Sequence, residues 1–357
     1  MANFGDFYRG KRVLVTGHTG FKGAWLSEWL LALGAEVAGF SDQIPTQPSL
    51  FEVLGLGKRL RDFRGDVRDL GALGRSFAEF RPEVVFHLAA QPLVRLSYED
   101  PVGTIATNVV GTANLLECVR KSPSVGLVVN ITSDKCYENR EWAYSYREND
   151  PMGGYDPYSA SKGCAELIFS SFARSFFASL GQGPVVVTAR AGNVIGGGDW
   201  ARDRIVVDCV KAWGAGKPVI LRNPHATRPW QHVLDCLSGY LTLGARARTE
   251  PARLNGEGFN FGPAHGHGAT VMELVSELAA NWRGAQWEVA ADLSGQPHEA
   301  KFLRLNCDKA AQVLGWRPRW DMHRAAQATS EWYELFYRAG ASASLLELTR
   351  SQIRAFQ

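Results

Sequence analysis

Short apolar runs, rich in β-branched residues, alternate with mixed polar and apolar stretches through the first 190 residues. Arg12-Val13-Leu14-Val15-Thr16 reads as a buried strand, Trp25 to Leu33 as an amphipathic helix stopped by Gly34, and Glu36-Val37-Ala38-Gly39-Phe40 as the next strand. The stretches 84–88, 127–131 and 185–189 repeat the strand pattern. A strand with one wet face would alternate apolar and polar positions. Uninterrupted apolar strands separated by helices instead predict an α/β fold, a doubly wound parallel sheet covered on both faces.

After residue 190 the rhythm changes. Gly196-Gly197-Gly198-Asp199 and Asn223-Pro224-His225 interrupt it, and the elements between them shorten. The pattern predicts a sheet domain over 1–190, a smaller substrate lobe over 191–330, and a helical tail over 331–357. Ser238 to Arg246 reads as a helix that brings a segment near 230–260 back to the main sheet.

Composition narrows the possibilities. A chain of 357 residues suits two units, and 45% hydrophobic with 21% charged residues is globular. The net charge of +3, without a basic run, argues against a nucleic-acid partner. The six cysteines are scattered, with neither a CxxC pair nor a Cys/His cluster, so neither a disulfide framework nor a metal site is expected. Met1 to Lys11 lacks an apolar signal core, and no stretch approaches the ~18 apolar residues of a membrane span. These features predict a soluble cytoplasmic protein.

Gly17-His18-Thr19-Gly20-Phe21-Lys22-Gly23 follows the first strand and opens the first helix. Glycines at GxxGxxG spacing let the backbone turn tightly and approach a pyrophosphate, whose charge then lies on free amides at a helix N-terminus. The loop therefore predicts a dinucleotide. Asp42 lies 19 residues after Gly23, with Ser41 before it, and no arginine stands nearby in sequence. That favours an unphosphorylated ribose and hence NAD, while Lys22 leaves NADP open. In Gly65-Asp66-Val67, the Asp66 carboxylate is placed to accept from an adenine amino group.

Tyr158-Ser159-Ala160-Ser161-Lys162 sets a phenol and an ammonium one helical turn apart. A nearby cation favours the phenolate, and a phenol so tuned takes a proton from a substrate hydroxyl as hydride leaves the same carbon. Thr132-Ser133-Asp134-Lys135 ends the fifth strand, the edge where such sheets present their chemistry. Ser133 is placed to share the proton with Tyr158. Asp134 and Lys135 exceed what a simple alcohol dehydrogenase needs, which points to a second step such as an elimination.

Assembled, these motifs resemble the extended short-chain dehydrogenase/reductase superfamily and, within it, the nucleotide-sugar 4,6-dehydratases. Arg190-Ala191-Gly192-Asn193-Val194-Ile195-Gly196-Gly197-Gly198-Asp199-Trp200 and Arg228-Pro229-Trp230-Gln231-His232-Val233 add to the likeness, which spans Val13 to about Trp332. The resemblance implies a Rossmann-type sheet with a smaller C-terminal substrate-binding lobe, NAD as cofactor, a sugar-nucleotide substrate with CDP-glucose favoured, and a homodimer. It implies that Tyr158, with Lys162 and Ser133, oxidises C4 of the sugar. Asp134 then protonates the departing 6-hydroxyl, and hydride returns to C6. Thymidine-nucleotide relatives carry a glutamate as C5 base where this chain has Lys135; a lysine is a base only when neutral, so its role is either base or enolate stabiliser. Leu88-Ala89-Ala90 would line the cofactor, Thr107-Asn108 would order the sheet centre, and Asn193, Arg204, Arg228 and His298 would grip the substrate. Between Arg190 and Trp230 seven basic residues face three acids, a local excess of four that reads as a patch for one diphosphate. A 4-epimerase or decarboxylase of the same superfamily, or a non-catalytic NAD(P)-sensing regulator, remain the competing readings.

Overall fold

The computed structural model describes residues 4–142, 144–178, 183–264, 268–290, 303–339 and 342–357. Seven strands form one sheet: β1 (Arg12–Thr16), β2 (Glu36–Ser41), β3 (Arg61–Arg64), β4 (Val84–His87), β5 (Leu127–Ile131), β6 (Val185–Arg190) and β7 (Gly258–Asn260). All pair in parallel, in the order β7-β6-β5-β4-β1-β2-β3. The helices used below are α1 (Phe21–Ala32), α2 (Leu70–Phe80), α3 (Gly111–Arg120), α4 (Pro157–Phe176), α5 (Ile205–Gly214), α6 (Val233–Thr249), α7 (Val271–Ala280), α8 (Met322–Ala339) and α9 (Ser342–Phe356).

Alternate residues of β1 feed opposite cores, as the period of a strand requires. Val13 and Val15 pack with α1 and α6, whereas Leu14 packs with α2, α3 and α4. The doubly wound architecture thus follows the strand pattern. Two details depart from it. The first helix begins at Phe21 and is buried all round from Gly23 to Leu30, because α9 covers the face that an amphipathic helix would turn to water. Even Glu28 is fully buried there, paired with Arg59 and Arg350. β3, with the charged sequence RDFR, carries no apolar run; it is an edge strand, where polar side chains are tolerated.

Register sets a polar row across the strands' C-terminal ends. Thr16 lies opposite His87, His87 opposite Asn130, and Asn130 opposite Thr188, all buried. Between β6 and β7, and again after β7, the chain forms α5, α7 and three small two-stranded sheets. α6 returns to pack on β5 and β6. The final helices are built into the core: Trp332 is fully buried, and a Cβ on Gly197 would fall 2.1 Å from its ring.

The helical run Pro101–Arg120 has the length and composition of a membrane span, with a mean hydropathy of 1.2 in its best window, which corrects the expectation that no such stretch exists. Thr104, Asn108 and Thr112 of this run are buried. Asn108 Nδ2 donates to Ser161 Oγ on α4 (2.8 Å), and Thr112 Oγ1 lies 3.4 Å from His87 Nε2. Asn108 thereby ties this helix to α4 and, through Gln91 N (2.8 Å), to the turn after β4.

Candidate active site

The glycine loop is closed on itself. Gly17 has φ +73°, and a Cβ there would sit 2.7 Å from the Ala89 amide; a Cβ on Gly23 would fall 2.1 Å from the Gly17 carbonyl oxygen. Only glycine satisfies both approaches. Gly20 caps α1 without a side chain, and the first turn holds no acid, so its amides remain available to an anion. Leu88, Ala89 and Ala90 continue from β4 alongside Gly17, partly exposed. These residues fit a dinucleotide pyrophosphate.

The other loop side chains serve the loop itself. His18 is fully buried, with Nδ1 3.1 Å from Ser41 Oγ and Nε2 2.9 Å from Asp62 Oδ1. Its ring fills the space that Gly39 leaves, where a Cβ would fall 2.1 Å away. Thr19 Oγ1 donates to the Gln43 carbonyl (2.7 Å), and Phe21 reaches Gly196.

Three residues at the cofactor end have partners within the fold. Lys22 turns inward, with Nζ donating to the Tyr240 hydroxyl of α6 at 3.3 Å. An arginine does lie near the end of β2, since parallel pairing sets Arg64 opposite Ser41, but Asp62 Oδ2 takes its Nη2 at 2.7 Å. Asp66 is clasped by Arg68, whose Nε and Nη2 reach the carboxylate at 2.8 and 2.5 Å; that hydrogen bonding outweighs burial and holds its carboxyl below the ordinary value. Val67 is buried, and its carbonyl accepts from Asn114 Nδ2 (3.0 Å). Asp42 is exposed at the end of β2.

α4 carries the phenol and ammonium. Asp156 caps it by accepting from Ser159 N (2.8 Å), and Pro157 occupies its first turn. Tyr158 and Lys162 are both buried, with Nζ 5.9 Å from the ring centroid. Burial pushes the phenol up to about 12, with Ser133 the largest influence opposing it. Lys162 is pushed down to about 8, first by burial and then by the Lys22 charge. The expectation that Lys162 brings the phenol toward neutrality fails in the protein alone, because desolvation of the phenolate outweighs a cation that is itself desolvated. His87, beneath the site, is driven down to about 3 by burial and Lys162, so it stays neutral as it meets Thr16 Oγ1 at 2.7 Å.

Ser133 and Asp134 stand where β5 ends, both buried. Ser133 Oγ donates to Asp134 Oδ1 (3.0 Å), and Asn193 Nδ2 donates to Asp134 Oδ2 (3.2 Å). Gly192 makes room for that carboxylate, for a Cβ there would lie 2.1 Å from it. Lys135 is half-buried on the following turn. The structure thus brings Ser133, Asp134, Tyr158 and Lys162 together and adds Asn193, with φ +52°, as the residue that orients Asp134.

Among the described residues, three of the seven basic residues of the segment form ion pairs within the fold. Arg190 pairs with Glu166 (2.8 Å), Arg204 with Asp199 (3.0 Å) and Arg222 with Asp208 (3.7 Å). Arg204 still faces Tyr158 closely enough to favour its ionised form. Arg228 is half-buried in the lobe, with Nη1 on the Thr227 carbonyl (2.9 Å), and His298 lies outside the described residues. A cavity of about 420 Å³ lies along α4 between Leu167, Met152, Arg190, Gly258 and Lys309; Tyr158 and the glycine loop are not among its lining residues. The sequence reading missed Glu166, although its spacing of four residues from Lys162 was visible.

Residues 14–329 match the family model described as GDP-mannose 4,6 dehydratase. The chain belongs to this family. Within the extended short-chain dehydrogenase/reductase superfamily, relatives of this dehydratase family member include the CDP-glucose 4,6-dehydratase of Salmonella typhimurium, 52% identical over 93% of each chain. Among solved structures, the UDP-glucose 4-epimerase of Thermus thermophilus in complex with NAD superposes with a TM-score of 0.74 at 29% identity, covering 90% of this chain and 99% of that one. DesIV, the dTDP-glucose 4,6-dehydratase of Streptomyces venezuelae, solved with NAD bound, gives 0.74 at 25% identity, covering 94% and 99%. NAD is the cofactor of this group of folds, and the glycine loop described above is built for it.

Proposed function

We propose that the chain converts CDP-glucose to CDP-4-keto-6-deoxyglucose and water. The observation that carries this reading is the buried Asp134 carboxylate, held by Ser133 and Asn193 beside Tyr158. An epimerase has no use for a second proton-transfer group at that point. The 52% identity to a CDP-glucose 4,6-dehydratase supports the choice of substrate.

Gly17, Gly20 and Gly23, with the amides of α1 and with Leu88 to Ala90, would hold NAD. NAD, when bound, supplies the hydride acceptor for C4, the donor for C6 and a positive charge in the site. Tyr158, assisted by Ser133, takes the 4-hydroxyl proton. The 4-keto group acidifies the C5 hydrogen. That proton passes to the Lys135 amine on the next turn while Asp134, in its acid form, gives its proton to the departing 6-hydroxyl, and water leaves. Lys135, once protonated, offsets the negative charge that develops between C4 and C5 and returns the proton to C5 as hydride reaches C6. Arg204 and Arg228 supply donor forks for the diphosphate.

Val102, Ile105 and Val110 on the run before α3, with Leu167 and Phe176 on α4, are exposed. Covering such a patch with a second copy would form a homodimer. The six unpaired thiols suit a reducing cytoplasm. Incubation with NAD and CDP-, dTDP-, GDP- or UDP-glucose, followed by product analysis, tests the reading. A 4-keto-6-deoxy product from CDP-glucose is expected, and CDP-galactose as the product would overturn it.

A further inference from the structure

Glu166 is a buried carboxylate that the reaction does not use. It lies on α4 one turn beyond Lys162 and two beyond Tyr158, on the same face, and is 4% exposed. Oε1 accepts from Thr132 Oγ1, while Oε2 accepts from Thr188 Oγ1 (3.0 Å) and Arg190 Nη2 (2.8 Å). A buried carboxylate is tolerated only when donors fill its acceptor sites, and these three donors are not scattered. Thr132 directly precedes Ser133, and Thr188 and Arg190 end β6. The paired ladder of β5 stops at Ile131, opposite Ala189, and one further backbone bond joins Thr132 N to the Ala189 carbonyl (2.9 Å). Beyond that point, side chains set how far the Ser133–Asp134 turn stands from α4.

We propose that Glu166, acting through Thr132, is a positioning residue that fixes Ser133 and Asp134 against the Tyr158 phenol. Arg190 braces the carboxylate from behind, since its Nη1 also donates to the Tyr137 hydroxyl (2.8 Å) and the Glu148 carbonyl (2.9 Å). Cutting the Thr132 link keeps both donors on Oε2, including the Arg190 ion pair, and takes from Oε1 its Thr132 donor, so the turn is released at a cost in stability. The consequence for turnover rests on the dehydratase reading; the positioning itself does not.

Thr132→Val removes the donor at nearly constant volume, and Thr132→Ser restores it. Tyrosine labelled with 13C at Cζ, assigned with Tyr158→Phe, reports the surroundings of the Tyr158 phenol in the full-length protein without any substrate. Thr132→Val should move the Tyr158 resonance in the same direction as Ser133→Ala does, and Thr132→Ser should return it. On whichever nucleotide sugar is dehydrated, Thr132→Val should lower kcat about ten- to a hundredfold with little change in KM. The acid limb of its kcat profile should move to higher pH, because Ser133 favours the ionised phenol. A Tyr158 resonance unmoved by Thr132→Val, with only the melting temperature lowered, overturns the proposal. A resonance that moves as expected in a protein that dehydrates no nucleotide sugar leaves the positioning role standing and overturns the dehydratase reading instead.

Discussion

Asp235 lies in the first turn of α6 and is fully buried. Its Oδ1 accepts from the Arg319 amide at 2.6 Å, and its Oδ2 has no hydrogen-bond partner among the described residues. His232, one turn earlier, offers no counter-charge, since burial pushes it down to about 3. Burial drives the Asp235 carboxyl up to about 7 from an ordinary 3.8, against the pull of the Arg319 and Trp320 amides and the Arg319 charge. Between pH 4 and 7 the unfolded chain loses this proton while the folded chain keeps it. The stability this group contributes is therefore complete below about pH 4 and is lost as pH rises to about 7. At about 1.4 kcal/mol per tenfold change in affinity, the full loss is about 4 kcal/mol, of which about 3 kcal/mol falls between pH 5 and 8. A chain of this length has an unfolding entropy near 0.75 kcal/mol/K, so 3 kcal/mol is roughly 4 °C. Asp235→Asn keeps an acceptor for the amides and cannot ionise. Melting temperatures of both proteins at pH 5 and pH 8 isolate the effect, because all other titrations cancel in the difference. The margin of the variant over the wild type should grow by roughly 4 °C from pH 5 to 8, and a margin independent of pH would refute a buried, proton-retaining Asp235.

Four further outcomes follow from the site and the core. Gly192→Ala places a Cβ 2.1 Å from the Asp134 carboxylate; it should cut water elimination about a hundredfold, as Asp134→Asn should, while exchange of the C5 hydrogen with solvent deuterium through the bound 4-ketose survives in both. Turnover should decline above about pH 8 as Lys162 loses its proton, and Lys22→Met should carry that decline to higher pH, because the Lys22 charge presses the Lys162 value down; a decline unmoved by the variant would speak against that contact. Gly23→Ala, with its Cβ 2.1 Å from the Gly17 carbonyl oxygen, should abolish NAD binding by calorimetry in a protein that still folds. Glu28→Ala strands Arg59 and Arg350 and should cost about 3 kcal/mol in urea unfolding, whereas a change under about 0.5 kcal/mol would mean the pairs are replaced by water.

The chemistry was readable wherever it depends on neighbours in sequence. Gly17 to Gly23, Ser133-Asp134 and Tyr158 to Lys162 are each local, because a tight turn, a strand end and one helical turn are set by a few consecutive residues. What lay across the fold was not readable. The inward turn of Lys22 depends on α6, more than 200 residues away, and the all-round burial of α1 depends on α9. The pairing of the basic segment after Arg190 was equally hidden: Arg190 meets Glu166 of α4, and Asp203 reaches out to Arg95. Counting charges along a segment says nothing about which partners fold onto it.

The sequence by itself determined the parallel sheet, the place of the glycine loop and the candidate proton-transfer groups. It did so through the period of the apolar runs and through motifs that close within one turn. The tertiary structure alone decided how those groups are tuned. Burial sets Tyr158 near 12 and Lys162 near 8, Gly192 and Asn193 aim Asp134, and Glu166 joins β5, β6 and α4. Desolvation and long-range hydrogen bonds arise only when distant segments exclude water together, so no local pattern in the chain encodes them.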